Sequence, residues 1–535
     1  MKNKCRGYDK YFIPAAVCLF VLSCLLHIYD LSGHPGGFFI DESAIGYNAW
    51  CIAENGTDEY GTAYPMFFRC FENYHDPVTV YLLVPFVKVF GLSKTLIRLP
   101  GVVFHILAAA AFYFLSWQVC RRKWLSLAAA FLFSVLPWIF PLSRLTMSGY
   151  TPMLFGITIG LFFLLRGFEK KSYLYMLLAA VGLTFGMYSH NCGRPTIAAF
   201  MIMFVLAFNI CLLKRWKLFT AFFCASVLIM LPMGLAVLHQ GQALTSRFNE
   251  IAVWRDNPTV SELLFRIGQR YLDYFNPYFL FVRGDINSRH NPVCGGLFFM
   301  FCLPLILFGL YRLFKYCRHN PVYRFILLAL AVYPVAAILT VDRMHSTRSL
   351  NGSIFLCLVA LYGAEYLIRH GSKFKILIII IAAAAVLEPV IYMHGYFVRN
   401  REYAASEMGL ELVNSLEFVH KVAKPREKLY ISRSVFCPYR IDDNFKPYSY
   451  SLILFFLQVP PREYIKNHSI PSDRVELWKG NPVKNGLILI SDLVTIYRNG
   501  KLEKIKNPER IPANAKLLGT FKTASGNTLY LIRVE

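Results

Sequence analysis

The chain has 535 residues, 56% of them hydrophobic and only 16% charged, with a formal net charge of +24. Its mean hydropathy is +0.43, which excludes an ordinary soluble domain and points to a polytopic α-helical membrane protein. The positive charge is not of the nucleic-acid-binding kind. It gathers in short clusters between apolar runs, at Arg121-Arg122-Lys123, Lys170-Lys171, Lys214 to Lys217, Arg312 to Arg324 and Arg369 to Lys375. Such clusters mark cytoplasmic loops and suit anionic membrane lipids, so no nucleic-acid partner is expected.

Taken in chain order, a basic N-terminal stretch precedes an apolar run from about Tyr11 to Tyr29, read as an uncleaved signal anchor. Further apolar runs place eleven spans near 11–30, 100–120, 124–141, 152–168, 173–190, 196–213, 218–238, 296–313, 325–341, 349–368 and 374–396. With the N-terminus inside, every basic cluster falls inside. The short run Val78 to Leu92 contains Pro85 and Lys88. It reads as an interfacial helix on the outer surface, because a twelfth crossing would invert all later loops. Residues 1–396 thus form a transmembrane domain with outer loops at about 31–99 and 239–295.

The first outer loop opens with adjacent carboxylates, Asp41 and Glu42. Acids at a membrane surface suggest chemistry or ion binding, although two solvated loop acids would read the same way. In an extended segment their side chains point in opposite directions, so one could serve chemistry while the other anchors a backbone amide. The outer loops favour arginine: Arg69, Arg98, Arg144, Arg194, Arg283, Arg289, Arg343 and Arg348. Arginine binds phosphate as a bidentate fork, so the set suggests a phosphate-linked substrate; each could instead pair with a nearby acid or headgroup. The second outer loop carries Trp254, Tyr271, Tyr274 and Tyr278 beside Asp273 and Asp285, a mixture that suits sugar rings or an interfacial aromatic belt. His75, His290 and His345 also fall outside and leave room for a divalent metal; no metal-binding spacing singles one out. Cys51 and Cys70 share the first loop and could pair in an oxidising compartment.

Residues 397–535 lose the long apolar runs. Glu402 to Val422 reads as an amphipathic helix, Lys428 to Ser432 and Gly486 to Ser491 as buried strands, and Leu517 to Val534 as a hairpin turning near Ser525-Gly526-Asn527. Ser449 to Val459 suits a helix between strands. The expectation is a small α/β extracytoplasmic domain without a phosphate loop or nucleophile elbow. Asn55-Gly56-Thr57 and Asn467-His468-Ser469 are glycosylation sequons.

One span, a long loop beginning with Asp41-Glu42, then His75-Asp76-Pro77, a short apolar helix and Arg98-Leu99-Pro100 occur in this order. The order resembles the GT-C membrane glycosyltransferases, in particular the protein O-mannosyltransferases and the lipid A aminoarabinose transferases, over about residues 1–400. Gly284-Asp285 to Arg289-His290 and His345 to Arg348 resemble segments of bacterial members. The resemblance implies a polyprenyl-phosphate-sugar donor on the outer leaflet of the cell membrane and a lipid, glycan or protein acceptor. It implies Asp41 as catalytic acid-base residue with Glu42 beside it, Asp76 as a functional acid, and Arg98 on the lipid phosphate. Arg348 and Arg289 join Arg98 as phosphate candidates, and His75, Asp285, His290 and His345 as substrate-binding candidates. The lipid A branch follows its acid with lysine where Pro77 stands here, and the mannosyltransferases carry His-Pro-Pro, so neither acceptor class is selected.

The chemistry agrees with that implication. A hydroxyl acceptor needs a carboxylate to take its proton. A lipid phosphate leaves without an acid but needs fixed positive donors, and one displacement inverts the anomeric centre. Two other classes remain open. A glycan-lipid flippase or transporter would use similar charges, although its usual paired halves are not visible. A polysaccharide polymerase or ligase shares many spans and outer arginines.

Overall fold

A computed structural model describes the chain except for residues 1–9, 72, 240–247, 294, 400–403, 405–406, 436–449, 468–469, 471–472, 479, 484, 499–500, 508–510, 513 and 523–527. Lys2, Lys4 and Arg6 of the basic N-terminal stretch, the Ser525-Gly526-Asn527 turn and His468-Ser469 of the second sequon therefore lie outside the described residues. The chain divides into two compact units. One comprises residues 1–31, 76–79 and 98–398; the other comprises 32–75, 80–97 and 399–535.

The first unit is helical. A helix lies at each of the eleven apolar segments, and seven are long and apolar enough to cross a membrane: Lys94–Cys120, Tyr150–Lys170, Gly193–Lys214, Trp216–His239, Pro321–Ile338, Gly352–Arg369 and Lys375–Val398. The other four, Phe12–Ile28, Lys123–Val135, Tyr173–Ser189 and Cys302–Tyr316, run 13 to 17 residues. At 1.5 Å rise per residue these fall short of a hydrocarbon core of about 30 Å. Helix Pro77–Phe90 has 14 residues and is likewise too short.

Helices inside the bundle touch through glycine. Gly156 and Gly160 of Tyr150–Lys170 face Gly182 and Gly186 of Tyr173–Ser189. A Cβ at Gly156 would lie 2.6 Å from the Gly186 nitrogen, and one at Gly182 2.9 Å from the Gly160 Cα. Without a hydrophobic drive between helices in lipid, such small-residue seams let backbones approach and gain dispersion contact. Gly309 and Gly363 make a second seam, in which a Cβ on either would run into the Val359 or Leu305 carbonyl. Peripheral helices are apolar all round: Leu213, Leu238, Ile376 and Ile391 are all exposed. That suits a lipid-facing surface rather than water.

The basic clusters meet at one end of this bundle. The Glu365 carboxylate accepts from Arg312 Nη1 at 2.6 Å and from Arg369 Nε at 2.9 Å, with Arg122 Nε at 3.7 Å. Arg121 pairs with Glu169 at 2.7 Å, and Arg215 donates to the Phe168 carbonyl. At the other end, Arg144 is fully buried and donates to four carbonyls, those of Leu26, His27, Tyr29 and Asp30. Four chain carbonyls left over at the end of Phe12–Ile28 are the natural acceptors for one guanidinium. Arg144 is thus a staple rather than a phosphate candidate.

The second unit joins the first loop to the C-terminal segment. Its sheet runs Val475–Trp478, Leu429–Ser432, Gly486–Ser491, Thr528–Val534, Ala515–Lys522. The first two neighbour pairs are parallel and the last two antiparallel. Helices Leu410–Val422 and Tyr450–Phe456 supply apolar faces to it. Phe38, Ile45, Val80, Leu83 and Ile97 share that core with Leu412, Leu416, Phe455 and Leu489. Polar ties reinforce it: Ser43 and Ser451 hydroxyls at 2.8 Å, Tyr47 to the Val459 carbonyl at 3.0 Å, and Lys94 to Glu417 at 2.8 Å. Cys51 and Cys70 are buried free thiols, so the structure contains no disulfide between them. Cys70 instead lies 3.9 Å from the Tyr450 hydroxyl.

Candidate active site

In the second unit, Asp41 and Glu42 sit in the first turn of helix Ile40–Asn55, not in an extended segment. Phe39 is the extended N-cap, and its amide donates to Glu42 Oε2 at 3.1 Å. A carboxylate three residues into a helix returning to the N-cap amide satisfies a donor that has no intrahelical partner. Glu42 is fully buried in that role. Gly56, at φ 70°, closes the helix in the left-handed conformation that glycine adopts without strain. Asp41, one residue earlier, keeps 30% of its side chain exposed and has His75 Nε2 at 4.0 Å. His75 ends the small hairpin Phe68–Cys70/Asn73–His75, whose register fixes it opposite Phe68.

In the first unit, the bundle end opposite the basic cluster carries the remaining candidates, Arg98 among them beside Arg144. Asp76 is paired: Arg194 donates to Oδ1, and the Asn191 amide donates to Oδ2 at 2.8 Å. Burial pushes the neighbouring Cys192 thiol up to about 11, and Arg348, Asp76 and Arg194 all act on it electrostatically. Those charges therefore share one neighbourhood. Arg348 donates to Thr340 Oγ1 and pairs with Asp342, both at 2.7 Å. Arg289 Nε donates to Asn287 Oδ1 at 3.1 Å and remains half-buried.

Asp285, His290 and His345 form a compact group beside those arginines. Asp285 Oδ2 accepts from the Ser346 amide and hydroxyl, each at 2.8 Å, and from His290 Nδ1 at 3.1 Å. Its Oδ1 accepts the Asn287 amide at 2.9 Å. Burial acts to raise the Asp285 carboxyl, but the His290 hydrogen bond, the electrostatic effects of His290 and His345 and the Asn287 amide together outweigh it and hold the group well below the usual carboxylate range. Burial, followed by Arg348 and His290, holds the His345 imidazole well below its ordinary value and therefore neutral. The rings of His290 and His345 lie 5.0 Å apart.

The scaffold behind this group is rigidly tied. Gly284, at φ 68°, turns the chain into Asp285. Asn291 Nδ2 donates to the Arg283, Asp285 and Gly295 carbonyls. The Tyr274 hydroxyl accepts the His345 amide at 3.2 Å, and Trp138 Nε1 donates to the Ser346 carbonyl at 2.8 Å.

Four residues singled out by the sequence have partners that the pattern did not indicate. Arg98 is 0% exposed and donates from Nη1 to the Leu31 carbonyl at 3.1 Å. Arg343 is held in a fork by Asp273 at 2.6 and 2.7 Å. Tyr271 and Tyr274 use their hydroxyls inside the protein. The sequence reading did not assign Arg194, Asn191 or Ser346 to the site. Arg194 carried a signal, as one of the loop arginines; Asn191 acts through its backbone amide, which leaves no mark in a sequence, and Ser346 through its amide and a hydroxyl that no local pattern pairs with Asp285.

Residues 74–233 match the family described as dolichyl-phosphate-mannose-protein mannosyltransferase. Among curated protein sequences, none matches the chain. Two solved structures of ArnT from Cupriavidus metallidurans are similar in fold at 11% sequence identity, both with a TM-score of 0.53. The one bound to undecaprenyl phosphate covers 98% of this chain and 98% of its own; the apo form covers 99% and 98%. A likeness over nearly the whole of both chains gives this protein the fold of those ArnT structures.

Proposed function

We propose that this protein transfers a sugar from a polyprenyl-phosphate donor to a hydroxyl-bearing acceptor, with inversion at the anomeric carbon. The observation that carries the reading is the full-length likeness to ArnT, one of whose structures holds undecaprenyl phosphate. The match of residues 74–233 to a mannosyltransferase family supports it.

In this reading the acceptor oxygen attacks the anomeric carbon as the carbon–oxygen bond to the lipid phosphate breaks. Asp41 takes the acceptor proton, and the polyprenyl phosphate departs with its electron pair. Asp41, with 30% of its side chain exposed, is preferred to Glu42, which is fully buried on the Phe39 amide, and to Asp76, which is 10% exposed and paired with Arg194. His75, at 4.0 Å from Asp41, orients that carboxylate or contacts the sugar. Arg348 and Arg289 receive the lipid phosphate, with His345, His290 and Asp285 as the polar wall beside them. A charge-assisted hydrogen bond contributes roughly 1.5–3 kcal/mol, so two arginines can lower the barrier substantially as leaving-group charge develops. Arg98 reaches a phosphate only if the Leu31 carbonyl releases it.

The test is incubation of purified protein in liposomes with radiolabelled polyprenyl-phosphate sugars of several kinds and a pooled lipid and glycan acceptor fraction. Release of polyprenyl phosphate with label transferred to acceptor is expected. Movement of intact donor across the bilayer without bond cleavage would establish a flippase instead.

A further inference from the structure

We propose that Asp285, His290 and His345 bind a divalent transition-metal ion of the zinc type. Each offers one ligand atom, and those atoms all lie within 4.8 Å of one another. Asp285 and His290 are 5% exposed, and His345 is half-buried. A tetrahedral zinc ion with bonds of about 2.0–2.2 Å holds its ligand atoms about 3.3 Å apart. Asp285 Oδ2 and His290 Nδ1 are already 3.1 Å apart. An ion can therefore take the place of the proton they share, which leaves to solvent, with little movement of either group. Closing the third side brings the His345 ligand atom, now within 4.8 Å of the other two, closer to them; its Nδ1 is at present 3.1 Å from Thr347 Oγ1.

The ligand chemistry selects the class of ion. Two imidazoles and one carboxylate suit zinc and its neighbours, whereas magnesium and calcium require oxygen ligands. The support behind the ligands is of the kind that metal sites need. Ser346 fixes Asp285 through its amide and hydroxyl, Tyr274 fixes the His345 amide, and Asn291 ties three carbonyls of the loop. Three protein ligands leave one position for water or a substrate oxygen. The ion would add a dication beside Arg348 and Arg289. That consequence rests on the glycosyl-transfer reading, but metal binding itself does not.

The experiment uses the full-length protein in detergent, stripped with chelator and titrated with cobalt(II), then displaced with zinc(II). We expect one equivalent per chain, visible d–d bands of a four- or five-coordinate ion, displacement by zinc and none by magnesium. His345→Asn and His290→Gln should lose stoichiometric binding. Ser346→Ala removes one donor to Asp285 and should weaken binding by about tenfold. X-ray absorption on the zinc-loaded, unsubstituted protein should report imidazole scattering, and needs no variant to fold. Failure to take up one equivalent, or a bound ion without imidazole ligands, overturns the proposal whether or not the protein transfers sugar.

Discussion

The Asp41 carboxylate stands 4.0 Å from Nε2 of His75, one residue before Glu42 turns back to cap the Phe39 amide. Two adjacent acids therefore have different surroundings, set by helix geometry. Asp41→Asn keeps size and most hydrogen bonding but removes basicity. It should leave donor binding nearly unchanged and lower turnover by roughly 10²–10⁴-fold, the range for loss of a general base. Glu42→Gln retains an acceptor for Phe39 and should cost far less activity. Glu42→Ala removes the cap and should destabilise the protein by about 0.5–2 kcal/mol. Steady-state kinetics with thermal melts separate these outcomes; near-normal turnover of Asp41→Asn would move the base to Asp76.

The helical unit was legible because burial in lipid writes itself as long apolar runs, and the reading placed a helix at every run. Lengths were not legible: Lys123–Val135 ends after 13 residues, before Pro137 and Pro141, where apolar composition continues. The strands Leu429–Ser432 and Gly486–Ser491 were visible as short apolar runs. Their parallel pairing was not, nor was the union of the first loop with the C-terminal sheet. Ser43 meets Ser451 across 408 residues, and no local pattern encodes such a contact. In the candidate site the charged side chains stood out. What each arginine is bound to did not, because Arg98 and Arg144 answer carbonyls whose positions only the fold supplies.

The glycine seam between Cys302–Tyr316 and Gly352–Arg369 gives a stability prediction. A methyl group at position 363 would meet the Leu305 carbonyl and must push the helices apart. Gly363→Ala should destabilise the protein by about 1–3 kcal/mol, the cost of overpacking a filled contact. Gly234→Ala, where a Cβ meets nothing within 4 Å, is the control. Equal melting temperatures for the two variants in detergent would show that the seam is loosely packed.

Basic loops contact one another through Glu365 and Glu169 at one end of the bundle, which predicts that this end is cytoplasmic. Cysteine introduced at Arg122 should react with a membrane-impermeant maleimide only after permeabilisation. Cysteine at Lys516, on the exposed edge strand, should react in intact cells, since the C-terminal unit is expected on the opposite side. Both variants would be made in a background in which the native cysteines are replaced by serine, including Cys18 and Cys224, which are exposed among the described residues. Labelling of both positions from outside would invert the topology.

Arg348, proposed as a phosphate ligand, differs in its surroundings from Arg98. Arg348 is held by Thr340 and Asp342 but keeps 12% of its side chain exposed, beside His345 and the Asp76–Arg194 pair. Arg98 is wholly buried, with Nη1 on the Leu31 carbonyl. Lysine keeps the charge at either position but loses the planar fork. Arg348→Lys should therefore raise the donor KM or lower kcat by about tenfold or more, equivalent to the loss of one charge-assisted hydrogen bond, with little change in melting temperature. Arg98→Lys should lower the melting temperature, because a single ammonium cannot reproduce the buried guanidinium contacts. Donor KM in the surviving protein should stay close to the unsubstituted value. The measurement is kcat and KM for the polyprenyl-phosphate sugar alongside a thermal melt of each variant. A raised KM with an unchanged melt for Arg98→Lys would return that residue to the phosphate, as its place in Arg98-Leu99-Pro100 first suggested.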